Sequence, residues 1–443
     1  MDNKNIVIFG GGTVFHVRNH LALCAPAYGH TAKRLAELCA EILPKFSVEL
    51  KLTKMAGGPL LETNEDIATV CRALVRDDTT KVVIMSAALC DYEGDVIEGN
   101  SWYRPGAWAK NGAPDFKYQA SEKVGKYSER LKTSDGDQAL WLTPADKIIG
   151  NIRKERKDIF LVGFKTTCGA TEDEQYIAGL NLCKKASCNL VFCNDTKTRL
   201  NLIATPEEAR YHVTKDRDEA LKGLLRMVYH RTHLTFTRST VIGGTPISWD
   251  SEEVPESLRT VVDYCIKQNA YKPFNGATAG HFAVKVKSNE FLTSIRKTNF
   301  NKLSEIGLVR VVTDGPDNVI AYGAKPSVGG QSQRIVFEKH PDLDCIVHFH
   351  CPIKPGSEIP TVSQYEFECG SHQCGSNTAN GLKQFGNVWA INLENHGPNL
   401  VFNRNTDPQE VIALIENNFD LSQKTGGFVS VNSTKDDAVK ILG

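Results

Sequence analysis

The sequence predicts an α/β chain in two parts: a parallel-sheet domain with helices on both faces, then an α+β domain. Three observations carry this prediction. Short β-rich runs alternate with amphipathic helical patterns through the first half. A stretch rich in Gly, Pro, Ser and acidic residues, "TRSTVIGGTPISWDSEEVPES", breaks the alternation at 237–257. Beyond it the pattern restarts with helices bracketing a run of strands, the signature of a largely antiparallel sheet. The 443 residues suffice for two sizeable cores. The expected parts are 1–236 and 255–443, with a linker at 237–254.

The chain opens as strand, glycine turn and helix. "NIVIFGGGT" is followed by "TAKRLAELCAEIL", whose Leu35, Leu38 and Ile42 fall at helical spacing. Strands are expected at "VELKLTK", "KVVIMSAAL", "IFLVGF" and "CNLVFCND", with the helical patterns "NEDIATVCRALVRD" and "PADKIIGNIRKER" between them. Such alternation builds a parallel sheet covered on both faces. The polar excursion containing "GNSWYRPGAWAKNGAPDF" lacks periodic apolar content and reads as a substrate or oligomer flap. In the second half the helix "ESLRTVVDYCIKQNA" precedes strands at "NGATAGHFAVKV", "EFLTSI", "LVRVVTDG", "NVIAYG", "CIVHFH" and "VWAINLENHG". The helix "PQEVIALIENNFDLS" closes the pattern.

Composition narrows the function classes. The chain is 41% hydrophobic and 23% charged, as in ordinary soluble globular proteins. Lys+Arg and Asp+Glu both number 52, which excludes a global basic field for nucleic acid and a polybasic membrane anchor. The apolar run near the N-terminus is too short for a signal or membrane segment, and no run of about 18 apolar residues follows. Thirteen scattered cysteines without a secretory signal imply reduced thiols in a cytoplasmic protein. The expected partner is a small-molecule substrate, with neither nucleic acid nor membrane.

Gly10, Gly11 and Gly12, followed by Thr13, sit directly after a strand and ahead of a helix. There, backbone N–H groups can approach a phosphate at the helix N-terminus. The same glycines serve equally as a tight strand-to-loop turn. The series "GGT…VR…YG.TAKRLAE", "VVIMSAALCDY", "FLVGFKT" and "KKASCNLVFCNDT" resembles, in order and context, the phosphopantothenoylcysteine synthetase family across about residues 4–200. The resemblance implies a Rossmann-like fold and a nucleoside triphosphate, CTP or ATP, that activates a carboxylate before an amine attacks it. It places Gly11, Gly12, Ala87, Ala88, Asp91, Gly163, Phe164 and Asn194 around the nucleotide, with Arg18 at the family's "VR" arginine. The family's lysine pair falls near Lys184 and Lys185, which also read as a solvated helix face. Ala22 stands near the position where the family has an asparagine that handles the acyl intermediate.

In "DCIVHFHCP", His348 and His350 are two residues apart at the end of a strand. Their side chains therefore share one face while Phe349 takes the other. Either both imidazoles hold one cation, or one is simply hydrogen-bonded and the other exposed. "VWAINLENHGP" is a second apolar strand ending in a histidine, His396. Three histidines with an open position form a common catalytic zinc arrangement, and imidazole suits zinc and neighbouring transition metals better than magnesium or calcium.

"NGATAGHFAVKV", "PDLDCIVHFHCP" and "NLENHGPNLVF" resemble the class II aldolase/adducin family across about residues 255–425. The resemblance implies a sugar-phosphate aldolase, epimerase or dehydratase in which His348, His350 and His396 hold Zn2+ or another divalent transition metal that polarises the substrate. It assigns Asn275 and Gly276 to a substrate-phosphate loop, with Thr293, Ser294 and Ser327 as looser substrate contacts. Members of both families form oligomers, so a homo-oligomer is expected. The family's acid/base glutamate has no counterpart in "KPSVGGQSQRIVFEKHP", where Gln331 and Gln333 are nearest and Glu338 comes later. Glu366 or Glu368, in "YEFECGSHQCGS", could replace it as the catalytic acid/base. Cys369, His372 and Cys374 in that stretch hint at a second zinc site, although their spacing fits no common knuckle. A non-catalytic scaffold or ligand sensor, and a nucleotide-dependent ligase active in the first half alone, are the alternatives.

Overall fold

The computed structural model describes residues 4–97 and 124–426; the excursion expected to form a flap lies outside them. The chain divides into two compact units, Met1–Phe164 with Lys185–Cys188, and Lys165–Lys184 with Asn189–Gly443. It is a mixed α/β protein with a parallel sheet and a second, largely antiparallel one.

In the first unit the elements are β1 (Lys4–Gly10), β2 (Val14–Arg18), β3 (Leu21–Cys24), α1 (His30–Ile42), β4 (Phe46–Leu52), α2 (Asn64–Leu74) and β5 (Thr80–Met85). They continue with β6 (Tyr92–Ile97), β7 (Ala139–Pro144), α3 (Ile149–Glu155) and β8 (Phe160–Thr167). Strands β4, β1, β5 and β8 lie side by side in that order, all parallel. Ile6, Val7, Ile8 and Phe9 are all fully buried, because a parallel strand covered on both faces has no solvent side. Helix α1 turns Leu35 and Leu38 inward, and α2 starts on a capping box in which Thr63 and Asp66 satisfy each other's backbone N–H groups. A hairpin, β2–β3, separates β1 from α1, and its Arg18 forms a buried ion pair with Asp95 of β6 at 2.7 Å.

The second unit begins with α4 (Glu172–Ala186), β9 (Leu190–Asp195), β10 (Asn201–Ala204), β11 (Arg210–Thr214) and α5 (Arg217–Arg231). Strands β9, β10 and β11 are antiparallel neighbours. There follow β12 (Arg238–Ile242), α6 (Glu256–Lys267), β13 (Pro273–Phe274), β14 (Ala277–Thr278), β15 (His281–Lys287), β16 (Glu290–Ser294), α7 (Leu303–Ile306), β17 (Leu308–Thr313) and β18 (Asn318–Tyr322). The last elements are α8 (Val328–Lys339), β19 (Cys345–His348), β20 (Thr361–Val362), α9 (His372–Gly381), β21 (Lys383–Phe385), β22 (Val388–Leu393), β23 (Gly397–Phe402) and α10 (Pro408–Asn418). The second sheet has ten strands in the order β12-β18-β17-β16-β15-β19-β23-β22-β20, with β21 paired to β22. Within the stretch read as a linker, the β-branched "STVI" run belongs to β12, which adds to β18 in parallel, and Trp249 is buried against Phe282.

Behind this sheet lies a core that includes Val261, Val262, Phe282, Phe349, Phe402 and Ile415, so α6 and α10 cover one face. Helix α5 starts on Asp216, whose side chain accepts from Glu219 N, and ends in Arg231. Arg231 and Glu207 form an ion pair at 2.7 Å with both side chains fully buried, and the guanidinium also donates to the carbonyl of Tyr365 at 3.1 Å. All thirteen cysteines are free thiols. No helix among the described residues is long and apolar enough to cross a membrane.

Breaking a buried pair strands the remaining charge, so Arg231→Met should destabilise the protein by about 3–5 kcal/mol. The double variant R231M/E207L should recover most of that loss, since apolar residues of similar volume replace such pairs at little cost. Urea unfolding of the full-length variants followed by tryptophan fluorescence measures both. Equal midpoints for R231M and the wild type would refute the assignment.

Candidate metal centre

His348 ends β19, and its backbone faces His281 of β15 on one side and Asn399 of β23 on the other. His350 lies two residues further, on the same face, and the two rings are 5.0 Å apart. Phe349 points the opposite way, into the core against Phe419. His396 sits in the turn between β22 and β23, where Asn395 and Gly397 both take positive φ. Glycine is required at 397: a Cβ there would lie 2.1 Å from the carbonyl oxygen of Phe349. That close approach carries His396 to its partners, at 4.6 Å from the ring of His348 and 4.7 Å from that of His350.

The three buried imidazoles offer one ligand atom each, all within 4.8 Å of one another. His348 donates Nδ1–H to the carbonyl of Pro398 at 2.7 Å, which leaves the Nε2 lone pair facing His396 Nε2 at 3.3 Å. Two nitrogens bound about 2.0–2.1 Å from one ion at a tetrahedral angle are separated by roughly 3.4 Å, so this spacing fits zinc. Nδ1 of His350 and of His396 are buried with no hydrogen-bond partner in the protein, an arrangement that leaves these rings short of satisfaction without a ligand. The all-imidazole donor set suits a divalent transition metal rather than an oxygen-seeking ion.

A fourth buried histidine, His281, tilts over His348 with ring centroids 4.7 Å apart. The buried Gln333 accepts from Thr293 Oγ1 at 3.1 Å through Oε1 and donates through its amide to His281 Nδ1. The remaining ring proton of His281 is therefore on Nε2, where it can only donate. His281, Gln333, His348, Cys369, Cys374 and His396 line one narrow cavity. Sequence reading passed over His281: nothing in "AGHFAVKV" shows that β15 and β19 are neighbours.

The other expected residues fall in different places. Glu368 is buried and accepts from Asn189 at 2.8 Å, whereas Glu366 is half-exposed and 3.6 Å from His230. His372 bonds Thr237 at 2.7 Å, and the three histidines above are the one metal-capable His/Cys/Asp/Glu group among the described residues; Cys369, His372 and Cys374 form none. Ser294 and Ser327 adjoin, Ser327 N donating to the carbonyl of Ser294 at 3.0 Å. Asn275 and Gly276 form the tight β13–β14 turn, both at positive φ, and Asn275 donates to Asn181 at 2.7 Å. Lys184 pairs with Glu208 at 2.9 Å, and Lys185 is exposed. Asn194, in β9, accepts from Thr166 at 3.2 Å.

In the first unit, Gly10–Thr13, Ala87 and Ala88 meet where β1 and β5 end, and Gly163 and Phe164 continue the edge on β8. The glycines pack tightly against their own chain: Gly12 N donates to Ala27 O at 2.7 Å and Thr13 N to Ala88 O at 2.9 Å. A Cβ on Gly10 would lie 2.2 Å from that of Ala32. Arg18 is committed to Asp95, and Asp91 is exposed beside Lys147.

Burial holds His281, His348 and His350 well below the usual imidazole range, and pushes His396 down to about 3. These rings are neutral when folded but protonate near pH 6.5 when unfolded, so the unfolded state gains protons as the pH falls below 6.5. Chelator-treated protein should therefore lose stability between pH 7 and 5, with a slope approaching about 1.4 kcal/mol per pH unit for each ring. Replacing His281 and His396 with Asn should flatten the slope. A flat profile for the parent protein, read by urea unfolding, would contradict the buried neutral cluster.

The family model described as "Class II Aldolase and Adducin N-terminal domain" matches residues 260–354, a stretch containing His348 and His350. No curated protein matches the chain in sequence. Among solved structures, the DNA/pantothenate metabolism flavoprotein from Streptococcus pneumoniae is similar at 20% identity, over 51% of this chain and 98% of its own, with a TM-score of 0.41. The C-terminal domain of the coenzyme A biosynthesis bifunctional protein CoaBC is similar at 14% identity, over 52% and 93%, with a TM-score of 0.34. L-fuculose 1-phosphate aldolase is similar at 19% identity, over 38% and 84%, with a TM-score of 0.28. Residues 260–354 are thus class II aldolase-like in sequence.

Proposed function

We propose that the C-terminal half is a metal-dependent enzyme that breaks or forms a carbon–carbon or carbon–oxygen bond, or epimerises, in a small phosphorylated hydroxy-carbonyl compound. The convergence of His348, His350 and His396 carries this reading, and the family match over 260–354 supports it. Zn2+ or a similar ion held there would supply Lewis-acid polarisation of a substrate oxygen. The Pro398 carbonyl keeps the proton of His348 on Nδ1 and so keeps Nε2 available. Thr293 and Gln333 hold His281 as a hydrogen-bond donor on the cavity wall, suited to a substrate oxygen that gains charge. Glu368 is a buried carboxylate in the stretch that also supplies Cys369 to that wall, which supports it over the half-exposed Glu366 as proton carrier.

In the first half we read a nucleotide site for CTP or ATP at the Gly10–Thr13 turn, beside Ala87 and Ala88. Because Gly12 and Thr13 give their amides to the chain itself, the turn would shape this pocket more than it would ligate phosphate.

Protein purified without added metal should carry about one zinc, manganese or iron per chain. The triple variant H348A/H350A/H396A should carry almost none while keeping its circular dichroism. In D2O, metal-loaded protein should exchange deuterium beside the carbonyl of some member of a panel of phosphorylated hydroxy-ketones, and chelator should stop it. A well-folded wild type free of metal would sink the enzyme reading, and metal binding without exchange would favour a ligand sensor. For the first half, CTP or ATP should raise the thermal midpoint where NAD does not; no shift with either nucleotide would remove the nucleotide site.

A further inference from the structure

Glu208 lies in the turn between β10 and β11, far in sequence from the histidines, and its carboxylate is almost fully buried. It pairs with Lys184 at 2.9 Å on one side and with Lys424 on the other. Its backbone takes φ +66, a strained value for glutamate, pinned by Tyr176, whose hydroxyl donates to the Glu208 carbonyl at 2.5 Å. Strain of this kind persists where the surroundings over-determine the backbone, and it concentrates at functional sites.

Lys424 belongs to the segment Asp420–Gly426 that follows α10 and runs across the end of β19. Asp420 N donates to Pro352 O at 2.9 Å, and Thr425 N donates to the carbonyl of His350 at 3.0 Å. Lys272 ties the same segment down through the carbonyls of Leu421 and Gln423, at 2.6 and 3.0 Å. Gly426 packs so tightly on the β10–β11 turn that a Cβ would lie 2.1 Å from Glu208 O, and Arg210 Nε donates to Gly426 O at 2.5 Å. His350 lies beyond the last residue of β19, so the ladder does not hold it; the Asp420–Gly426 segment does.

We propose that Glu208 is a positioning residue of the three-histidine centre: by anchoring Lys424 it fixes the segment whose Thr425 amide sets His350. This rests on the metal reading above. The carboxylate also neutralises two ammonium groups that would otherwise oppose a cation nearby. Burial works against the charge on Glu208, but Lys184 and Lys424 outweigh it and hold the carboxyl down at about 2.

The test is metal affinity in the full chain, by competition with a chromophoric chelator for Zn2+ and by the visible spectrum of bound Co2+. Glu208→Gln and Lys424→Met should each weaken binding about 10–100-fold, the range for residues that orient a ligand. Their Co2+ bands should also lose intensity as four-coordinate geometry is lost. Lys424→Arg, which keeps the charge, should stay near the wild-type value. If Glu208→Gln does not fold, the contrast between the two Lys424 variants decides. Affinities and spectra matching the wild type in Glu208→Gln and Lys424→Met would overturn the positioning role alone. A wild type that takes up neither ion would overturn both this role and the metal reading.

Discussion

The backbone of Gly397 passes the carbonyl of Phe349 at a distance no side chain could tolerate. The rest of the centre follows from that contact. β23 pairs with β19, so the turn that begins it must cross the end of β19, and only a residue without Cβ can cross there. The crossing puts His396 beside His348 and His350, and leaves Nδ1 of His350 and of His396 without a partner in the protein. Phe349 anchors the arrangement from behind by packing on Phe419. The strand period then forces the two flanking imidazoles to the opposite face.

Burying four neutral imidazoles in one place costs stability, because each would otherwise be hydrated and free to take a proton. The structure offsets part of that cost locally, through Pro398 O for His348 and Gln333 for His281. It leaves Nδ1 of His350 and His396 without a protein partner. A core selected for stability alone would fill this space with apolar side chains, as the surrounding strands do with Val347, Leu400 and Val401. The metal-dependent function proposed above would account for these two nitrogens.

Much of this was legible in the sequence, for physical reasons that differ by element. β1, β5 and β8 showed as short apolar runs because both faces of a covered parallel strand must be apolar. His348 and His350 were readable because side-chain period in a strand is fixed, and His396 because it also ends an apolar run. The β2–β3 hairpin escaped because "VFHVRNHLALC" has no strict alternation and turns at His20, a non-glycine residue at positive φ. Helix α5 was visible in principle, with Asp216 as its cap and Leu221, Leu224, Leu225 and Val228 at helical spacing, yet its role depends on Arg231 finding Glu207. His281 and Glu208 could not be read at all. Their meaning comes from which strands are neighbours and which turn meets which tail, and no local pattern records that.

That distinction bears on which residues outside the matched stretch surround the three histidines. Lys184 and Glu208 lie in the sequence region that resembles a synthetase or immediately beyond it, yet they belong to the compact unit that holds the three histidines. Glu207, next to Glu208, pairs with Arg231, and Arg231 holds the carbonyls of Gln364 and Tyr365 ahead of Glu368 and Cys369. Two adjacent glutamates in one strained turn thus reach two walls of the same centre, one through Lys424 and His350, the other through Arg231. On the proposal above, the histidine cluster is not self-sufficient: its geometry depends on charges from Lys184, Glu208 and Lys424, all outside the matched residues 260–354.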